Sequence, residues 1–522
     1  MVNFNLKFNT YLIFKLIFIF FPLFLISGPF LPDLTVVLMA IYFVYYCYLN
    51  KKFIFFFKKN LIIFFFIFYL YININSLFSY LPLVSFSTSL PYIRMILFAI
   101  FFAYLLKKIV NLKKIIFFSF IFSYFFLFID SLIQINTGYN ILGYPIVTER
   151  IASLFRDKLV MGSYVSRTLP ILIAISYFET FKYEKFLRAL SICLAGALVF
   201  FSAERVSMFY FFMTAFLYLI LLPNKNFFFY YLTLLASLFL ALIFFKPSSA
   251  YRLYNHTLHQ INEKNLFLFS ERHEMHFVTA YRMFKEKKFF GHGINSFRHL
   301  CDQEPYSTKD LIIKNNSKFS PIDGHYYFKK GFIDNKNFFY FIPETANLEF
   351  LKKVQVLEDL RISGDKFETF KALESFNSFI INNSIINGVS SQIILHSIKS
   401  GSLVKNGEYV FAENDFENGC NTHPHSFHLQ ILSELGLFGY FFLFIFFFYL
   451  IYIFFKNFID IFFKNKKKIK KKNNNLYCIF IVISLIQFLF PVLPTGNIFN
   501  NWLSVFFYFK LAFLFNFIYY KK

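Results

Sequence analysis

Apolar and polar positions fall along this chain in long blocks rather than in alternation. Apolar runs occupy roughly 10–27, 31–49, 60–75, 89–106, 114–133, 164–179, 186–202, 205–222, 227–245, 429–455, 476–493 and 501–519. Each is close to the ~20 residues that an α-helix needs to cross the hydrocarbon core of a bilayer. The pattern predicts an all-α polytopic membrane protein of about twelve transmembrane helices. The first run, Tyr11–Ile26 behind Lys7, has no small-residue cleavage site before Gly28-Pro29. It therefore reads as a retained span and not as a removed signal peptide.

Two stretches interrupt the blocks. Residues 134–163 form a polar segment carrying Arg150, Arg156 and Asp157. Residues 246–428 are long enough for a domain. Within them, Ser270–Phe290 has helical apolar spacing with mixed charge and ends at Gly291-His-Gly293. From Ser320 to Asp415 the stretches SPIDGHYYF, FFYFIP and SLVKNGEYVF read as short strands. Asp323-Gly324 and Asn406-Gly407 supply turn signals, and Ser363–Ser375 reads as a helix. The expected organisation is a membrane domain over 1–245 with nine spans, an outer loop over 246–428, and a membrane domain over 429–522 with three spans. A partly β subdomain is inserted in the outer loop at about 305–418. It carries no catalytic motif.

Composition agrees: 57% of the residues are hydrophobic and 88 are Phe, beyond the range of soluble domains. The net charge of +24 raises the question of nucleic acid. Its distribution removes it, because residues 251–428 are nearly neutral, with 21 basic and 20 acidic side chains. The excess sits in short loops, where Lys51, Lys52, Lys58 and Lys59, then Lys107, Lys108, Lys113 and Lys114, then Lys182, Lys185 and Arg188, then Lys225, follow alternate spans. The run Lys464 to Lys472 and the pair Lys521-Lys522 continue the series, whereas loops 28–30, 76–88 and 494–500 carry no charge. This is the positive-inside pattern, with both termini cytoplasmic. A nucleic-acid binder would gather the charge on one folded surface. The lysine run reads as an orientation signal that touches anionic lipid.

Of five cysteines, Cys47, Cys193 and Cys478 lie in apolar runs and read as packing residues. Cys301 and Cys420 lie in the outer loop and bracket the insertion. Two states stay open for them: free thiols, or a disulfide that staples the ends of the insertion. No CxxC or zinc-type Cys/His spacing occurs, so the sequence predicts no metal and no other cofactor.

The titratable candidates gather at outer boundaries. CNTHPHSFHLQILSELGLFG, 420–439, holds His423, His425, His428 and Glu434 where a polar stretch meets an apolar run. A histidine there is a candidate general base, or a hydrogen-bonded helix cap. Glu434 lies inside the start of a span and needs a partner, for which an arginine is the obvious choice. Arg205, beside Glu204, opens another span and is either half of a hairpin-capping pair or an anion clamp. Arg272 with His273, His276 and Arg282 forms a strip at helical spacing, either solvated or anion-binding. Arg94, Arg150 and Arg167 are further sources of positive charge for an outer cavity. Lys510, in mid-span, has no explanation in the sequence.

The segment His425-Ser426, nine residues, Gly436-Leu-Phe-Gly439 resembles the boundary motif of the O-antigen ligase family, which includes polymerase-like relatives. Arg272, Phe277, Gly291-His-Gly293 and Phe297 are similar to that family's upstream block. Arg205 matches an arginine that opens a span. ERIASLFRDKLVMGSYVSRTLP, 149–170, is similar to a further segment, with Ser153 where glycine is common. The resemblance covers most of 130–300 and 420–500; the insertion 305–418 and Lys510 depart from it. It implies a GT-C-like membrane glycosyltransferase in a bacterial inner membrane, with its active site facing the periplasm. The implied reaction transfers a glycan from undecaprenyl pyrophosphate to a hydroxyl of lipid A–core, with inversion and without metal. His425 would be the base, with His423 a second candidate. Arg205, Arg272 and Arg150 would bind pyrophosphate, and Glu434 would support them. An O-antigen polymerase and a protein O-oligosaccharyltransferase share this chemistry and differ in acceptor. A transporter or flippase is the alternative of another class, and it predicts inverted repeats and broken helices.

Overall fold

A computed structural model describes residues 8–146, 150–156, 158–222, 225–262, 271–308, 326–333, 336–343, 403–405, 408–412, 420–464, 469–491 and 493–520. The helices are α1 (Phe8–Ser27), α2 (Phe30–Asn50), α3 (Phe53–Phe57), α4 (Asn60–Leu77), α5 (Pro82–Ser89), α6 (Ile93–Lys108), α7 (Leu112–Thr137), α8 (Met161–Phe178), α9 (Glu184–Ser202), α10 (Arg205–Ile220), α11 (Lys225–Phe245), α12 (Pro247–Asn262), α13 (Glu271–Glu286), α14 (Phe297–Leu300), α15 (Phe427–Ile459), α16 (Ile469–Ile486) and α17 (Asn501–Tyr520).

Among the described residues nine helices are long and apolar enough to cross a membrane. They mark the chain as a multi-pass membrane protein. The other three expected spans are also helical but fall short of that standard. In α8, Arg167 and several small polar residues dilute the apolar character. Helix α10 has only 16 residues. Helix α16 begins in Ile-Lys-Lys-Lys-Asn-Asn-Asn and stops at Ile486, not at 493. The helix tightens at its end, where Phe488 N turns to Leu485 O at 3.1 Å, and Pro491 bars it from resuming.

The chain divides into two compact units: Met1–Leu268 with Lys287–Ser296 and His425–Lys522, and Phe269–Glu286 with Phe297–Pro424. The outer loop expected as one piece, 246–428, is thus split, and residues 287–296 belong with the membrane helices. Interhelical packing in the first unit rests on aromatic contacts, because lipid gives helices no hydrophobic reason to associate. Phe102 on α6 stacks on Phe18 of α1 at 4.3 Å and on Phe509 of α17 at 5.2 Å. Phe21 reaches the same Phe509 at 5.0 Å.

The glycines of the two motifs explain why 287–296 sits among these helices. Helix α15 breaks at Gly436, whose φ of 67° and ψ of −166° are not helical. Three carbonyls and two N–H groups around the break find partners elsewhere. His292 N donates to Ser433 O at 3.0 Å and Gly293 N to Glu434 O at 2.7 Å. Leu437 N donates to Lys288 O at 2.8 Å and Phe438 N to Phe289 O at 3.2 Å. The Tyr71 hydroxyl donates to Leu435 O. A side chain at Gly436 would meet the Phe289 carbonyl at 2.3 Å, and one at Gly291 the Glu434 carbonyl carbon at 2.4 Å. Only glycine lets the two backbones approach so closely. The far side of the segment is held by α4 and α5, through Asn75 to Phe290 O, Tyr80 N to His292 O, and Ser85 to Ile294 O.

In the second unit the described residues include an antiparallel sheet of β1 (Tyr326–Ile333), β2 (Lys336–Pro343), β3 (Leu403–Lys405) and β4 (Glu408–Ala412), in the order β1-β2-β4-β3. The first two strands meet at the Ile333–Lys336 pair and the last two at Lys405–Glu408. The expected turn residues Asp323-Gly324 therefore precede β1 and do not join it to β2. Those two residues, Asn406-Gly407, the helix expected at Ser363–Ser375 and most of the insertion lie outside the described residues.

Candidate functional site

In the first unit polar residues from one end of the helices collect where α8, α9, α10, α15 and the segment 487–500 meet. Helix α9 ends at Ala203 with a φ of 49°, and Glu204 caps α10 in extended backbone. That turn points Glu204 at the start of α8. Gly162 N donates to Glu204 Oε1 at 3.0 Å, and the Ser207 hydroxyl donates to Oε2 at 2.8 Å. The Arg150 guanidinium lies 3.6 Å from the same carboxylate. It also donates to Ser202 O at 3.1 Å and Leu159 O at 3.0 Å. Glu204 is thus paired with Arg150, which braces the loop before α8. Burial pulls the Arg150 guanidinium below its ordinary pKa, and Glu204 opposes that shift; arginine stays charged throughout. Arg205 is exposed at the first residue of α10 and near enough to Arg150 to repel it. The structure therefore brings these two predicted residues together.

The histidine segment follows a different logic. Ser426 caps α15 and its hydroxyl accepts from Leu429 N at 3.4 Å. His428 is buried, with Nε2 2.9 Å from Leu489 O and Nδ1 3.1 Å from the Tyr440 hydroxyl. A carbonyl only accepts, so Nε2 carries the proton and Nδ1 accepts from Tyr440. Both ring nitrogens are occupied, which makes His428 a packing residue. His425 is half-buried, with a φ of 53°. Thr495 clamps it, donating its N–H to His425 O at 2.8 Å while its hydroxyl accepts from Phe427 N at 2.8 Å.

Glu434 is 1% exposed. Gln430, one turn earlier, donates to it at 3.1 Å and to Asn497 Oδ1 at 2.8 Å, and accepts from Ile498 N at 3.1 Å. Segment 487–498 thus links the parts. Phe490 packs on Phe209 at 5.4 Å, one turn from Arg205, and Thr495 holds His425. Gln430, Thr495 and Asn497 are not among the residues that sequence reasoning selects. Their only signal is polarity beside an apolar run.

Arg94 does not contribute charge to an outer cavity. It forms a two-pronged pair with Asp33, at 3.0 and 3.3 Å, and donates to Asn501 at 3.1 Å, which ties α2, α6 and α17 together. Arg167 is buried in α8. Ser153, where glycine is common in the resembled family, has a φ of 49°, the left-handed region that glycine favours. Its hydroxyl donates to buried Asp130 at 2.5 Å.

In the second unit, Cys301 and Cys420 form a disulfide that spans 119 residues. The Thr422 hydroxyl lies 3.0 Å from His423 Nδ1. Arg272 is the second residue of α13, and its side chain lies outside the description. The expected strip on α13 is not one continuous solvated face: His276 is 3% exposed, and Arg282 donates to Ser307 O. Among the described residues no group of three or more His, Cys, Asp or Glu side chains is gathered to hold a metal ion.

By fold and boundary chemistry the chain is a multi-pass membrane protein with a polar, arginine-bearing cluster at one end of its helices. No family model, curated protein or solved structure matches it.

Proposed function

We propose that this protein is a membrane glycosyltransferase of the O-antigen ligase type, with the cluster around segment 487–498 as its active site. The supporting observation is His425. An L-residue with a φ of 53° is strained unless its surroundings impose that conformation. One Thr495 hydrogen bond to His425 O and a second to Phe427 N hold it here, while His428 three residues on is consumed by structure. On the other side of the same segment stand Arg205 and Arg150, a pair of guanidiniums suited to a phosphate-bearing ligand.

In this reading the acceptor hydroxyl attacks the anomeric carbon of the lipid-linked glycan as the bond to the pyrophosphate oxygen breaks. His425 takes the hydroxyl proton. Arg205 and Arg150 bind the departing polyprenyl pyrophosphate and stabilise its growing charge. Attack opposite the leaving group inverts the anomeric centre, and no metal or other cofactor takes part. The twelve-span GT-C-like layout, the periplasmic face of the site, cytoplasmic termini and a lipid A–core acceptor belong to this proposal. A polymerase using a second lipid-linked repeat as acceptor rests on the same residues.

The test is made in bacterial cells lacking the protein, with wild type or His425→Ala restored and lipopolysaccharide resolved on gels. A ligase predicts that the variant loses all long-chain bands and accumulates lipid-linked donor. A single repeat left on the core selects the polymerase. Full-length bands from His425→Ala overturn the assignment of His425 as base.

A further inference from the structure

Below the boundary cluster lies a second group of polar side chains that the proposed reaction does not use. Arg167 is five residues further along α8 than Gly162, about 7–8 Å at the helical rise. Tyr210 is the same distance along α10 from Arg205. Lys510 is nine residues into α17. Arg167 is 4% exposed and Lys510 is fully buried. Both flank the ring of Phe488, the guanidinium carbon 5.7 Å and the ammonium 5.6 Å from its centroid. Arg167 also lies 5.5 Å from the ring centroid of Tyr210, and Lys510 lies 5.5 Å from that of Phe506.

Burial and the neighbouring guanidinium make a charge on Lys510 costly, and no carboxylate among the described residues pairs with either side chain. Lys510 has one hydrogen bond, to Ser484 O at 3.0 Å. That carbonyl is available because Phe488 N, its usual helical partner, turns to Leu485 O instead. Near the pair, Arg167 Nε, the Ser166 hydroxyl and Gln487 Oε1 are buried without a hydrogen-bond partner, and the Tyr210 hydroxyl has only the Arg167 guanidinium beside it. Gln487 donates from its other end to Tyr210 O at 2.9 Å and Thr214 at 2.7 Å, so its orientation is fixed. Two buried basic side chains beside unpaired polar atoms have no structural account as a packed core, since charging either raises the cost of charging the other. An anion in contact with both would offset their charges and give the unpaired donors an acceptor.

We propose that Arg167 and Lys510, with the Tyr210 hydroxyl, form an oxyanion site inside the bundle that takes a phosphoryl group. A phosphoryl group carries enough negative charge to neutralise both cations. Its oxygens accept in several directions, as a forked guanidinium, an ammonium and a phenol require. A protonated phosphoryl oxygen donates to Gln487 Oε1. The group arrives on a polyprenyl lipid or as free phosphate or pyrophosphate.

The test uses the full chain in nanodiscs of uncharged lipid. All measurements are made with Arg205→Ala, so that phosphate binding at the outer arginine pair does not report. Radiolabelled inorganic phosphate and pyrophosphate are one pair of probes, and a short-chain polyprenyl phosphate built into the discs is the other. Saturable binding of either class, weakened tenfold or more by Lys510→Met and by Arg167→Gln, supports the site and names its source. Lys510→Arg keeps the charge and retains binding, which covers the case in which Lys510→Met does not fold. The proposal is overturned if no probe binds, or if Lys510→Met binds as its parent does. Failure here leaves the His425 gel assay untouched, so the two readings fall separately.

Discussion

Replacing Gly436 by alanine is the most direct probe of how segment 287–296 is built into the membrane unit. The residue needs a φ of 67° with a ψ of −166°, a region that essentially only glycine occupies. Alanine there costs about 1–3 kcal/mol of backbone strain. Its methyl group would also sit 2.3 Å from the Phe289 carbonyl carbon and oxygen and 2.6 Å from Phe290 N. Those are backbone atoms, so no rotamer relieves the clash and the 287–296 segment must move away. Movement breaks the Leu437 and Phe438 N–H bonds to Lys288 O and Phe289 O. A buried group left unpaired costs roughly 1–3 kcal/mol. Together the loss is about 3–9 kcal/mol, a large share of a typical fold's stability.

Gly143→Ala supplies the control. Gly143 also has a positive φ, 81°, but an added methyl group meets nothing within 4 Å. It should lose only the backbone strain, about 1 kcal/mol. Both variants are purified in nanodiscs, and unfolding is followed by circular dichroism against heat and denaturant. Gly436→Ala should unfold far earlier than Gly143→Ala, with new protease cutting near Lys287–Ser296. Equal unfolding midpoints would refute the interlock between the two glycine motifs.

Two further perturbations test the boundary chemistry. Asp33→Asn and Arg94→Met should each cost about 1–2 kcal/mol, with a coupling energy near 1 kcal/mol in the double variant, because the pair is two-pronged and mostly buried; additive losses would show that the pair is incidental. Lys59 precedes α4 with its ammonium 3.8 Å from the Tyr520 ring centroid and 4.8 Å from that of Tyr519. Burial, then repulsion from Lys107, lowers its pKa to about 8 from an ordinary 10.5. Between those values the unfolded chain binds more protons than the folded one, so stability is flat below pH 8 and rises toward 10.5. Solvent around the half-exposed side chain keeps the effect small. Unfolding midpoints of Lys59→Met measured against pH should lack that rise; a fall in the wild type over the same range would reverse the argument.

The helices are legible because each is a local pattern: all twelve predicted runs fall on helices, and block length alone locates most of them. Their ends are less legible where backbone chemistry overrides apolarity. Phe488, Leu489 and Phe490 continue the apolar run of α16, yet they lie beyond its last residue and just ahead of Pro491. The candidate site is legible in part. Spacing singles out His425, and charge at a boundary singles out Arg150 and Arg205. The partners are not legible, because they join distant residues. Nothing in the sequence near Arg94 announces Asp33, and nothing near Gln430 announces Asn497. The Gly291-His-Gly293 turn reads as the end of an outer helix, yet its backbone completes the hydrogen bonding of α15.

That completion also bears on the transporter alternative. A broken helix is one of the two features expected of a transporter, and α15 is broken at Gly436. In transporters the freed backbone groups of a broken helix face the substrate or coupling ion. Here the carbonyls of Ser433, Glu434 and Leu435 accept from His292, Gly293 and Tyr71, and the N–H groups of Leu437 and Phe438 donate to Lys288 and Phe289. None of the five is left to coordinate a solute. Non-helical backbone at membrane depth is tolerated when protein covers it, and segment 287–296 is that cover. The break therefore works as a joint that docks segment 287–296 onto the helix following His425, which favours a fixed site over a moving gate.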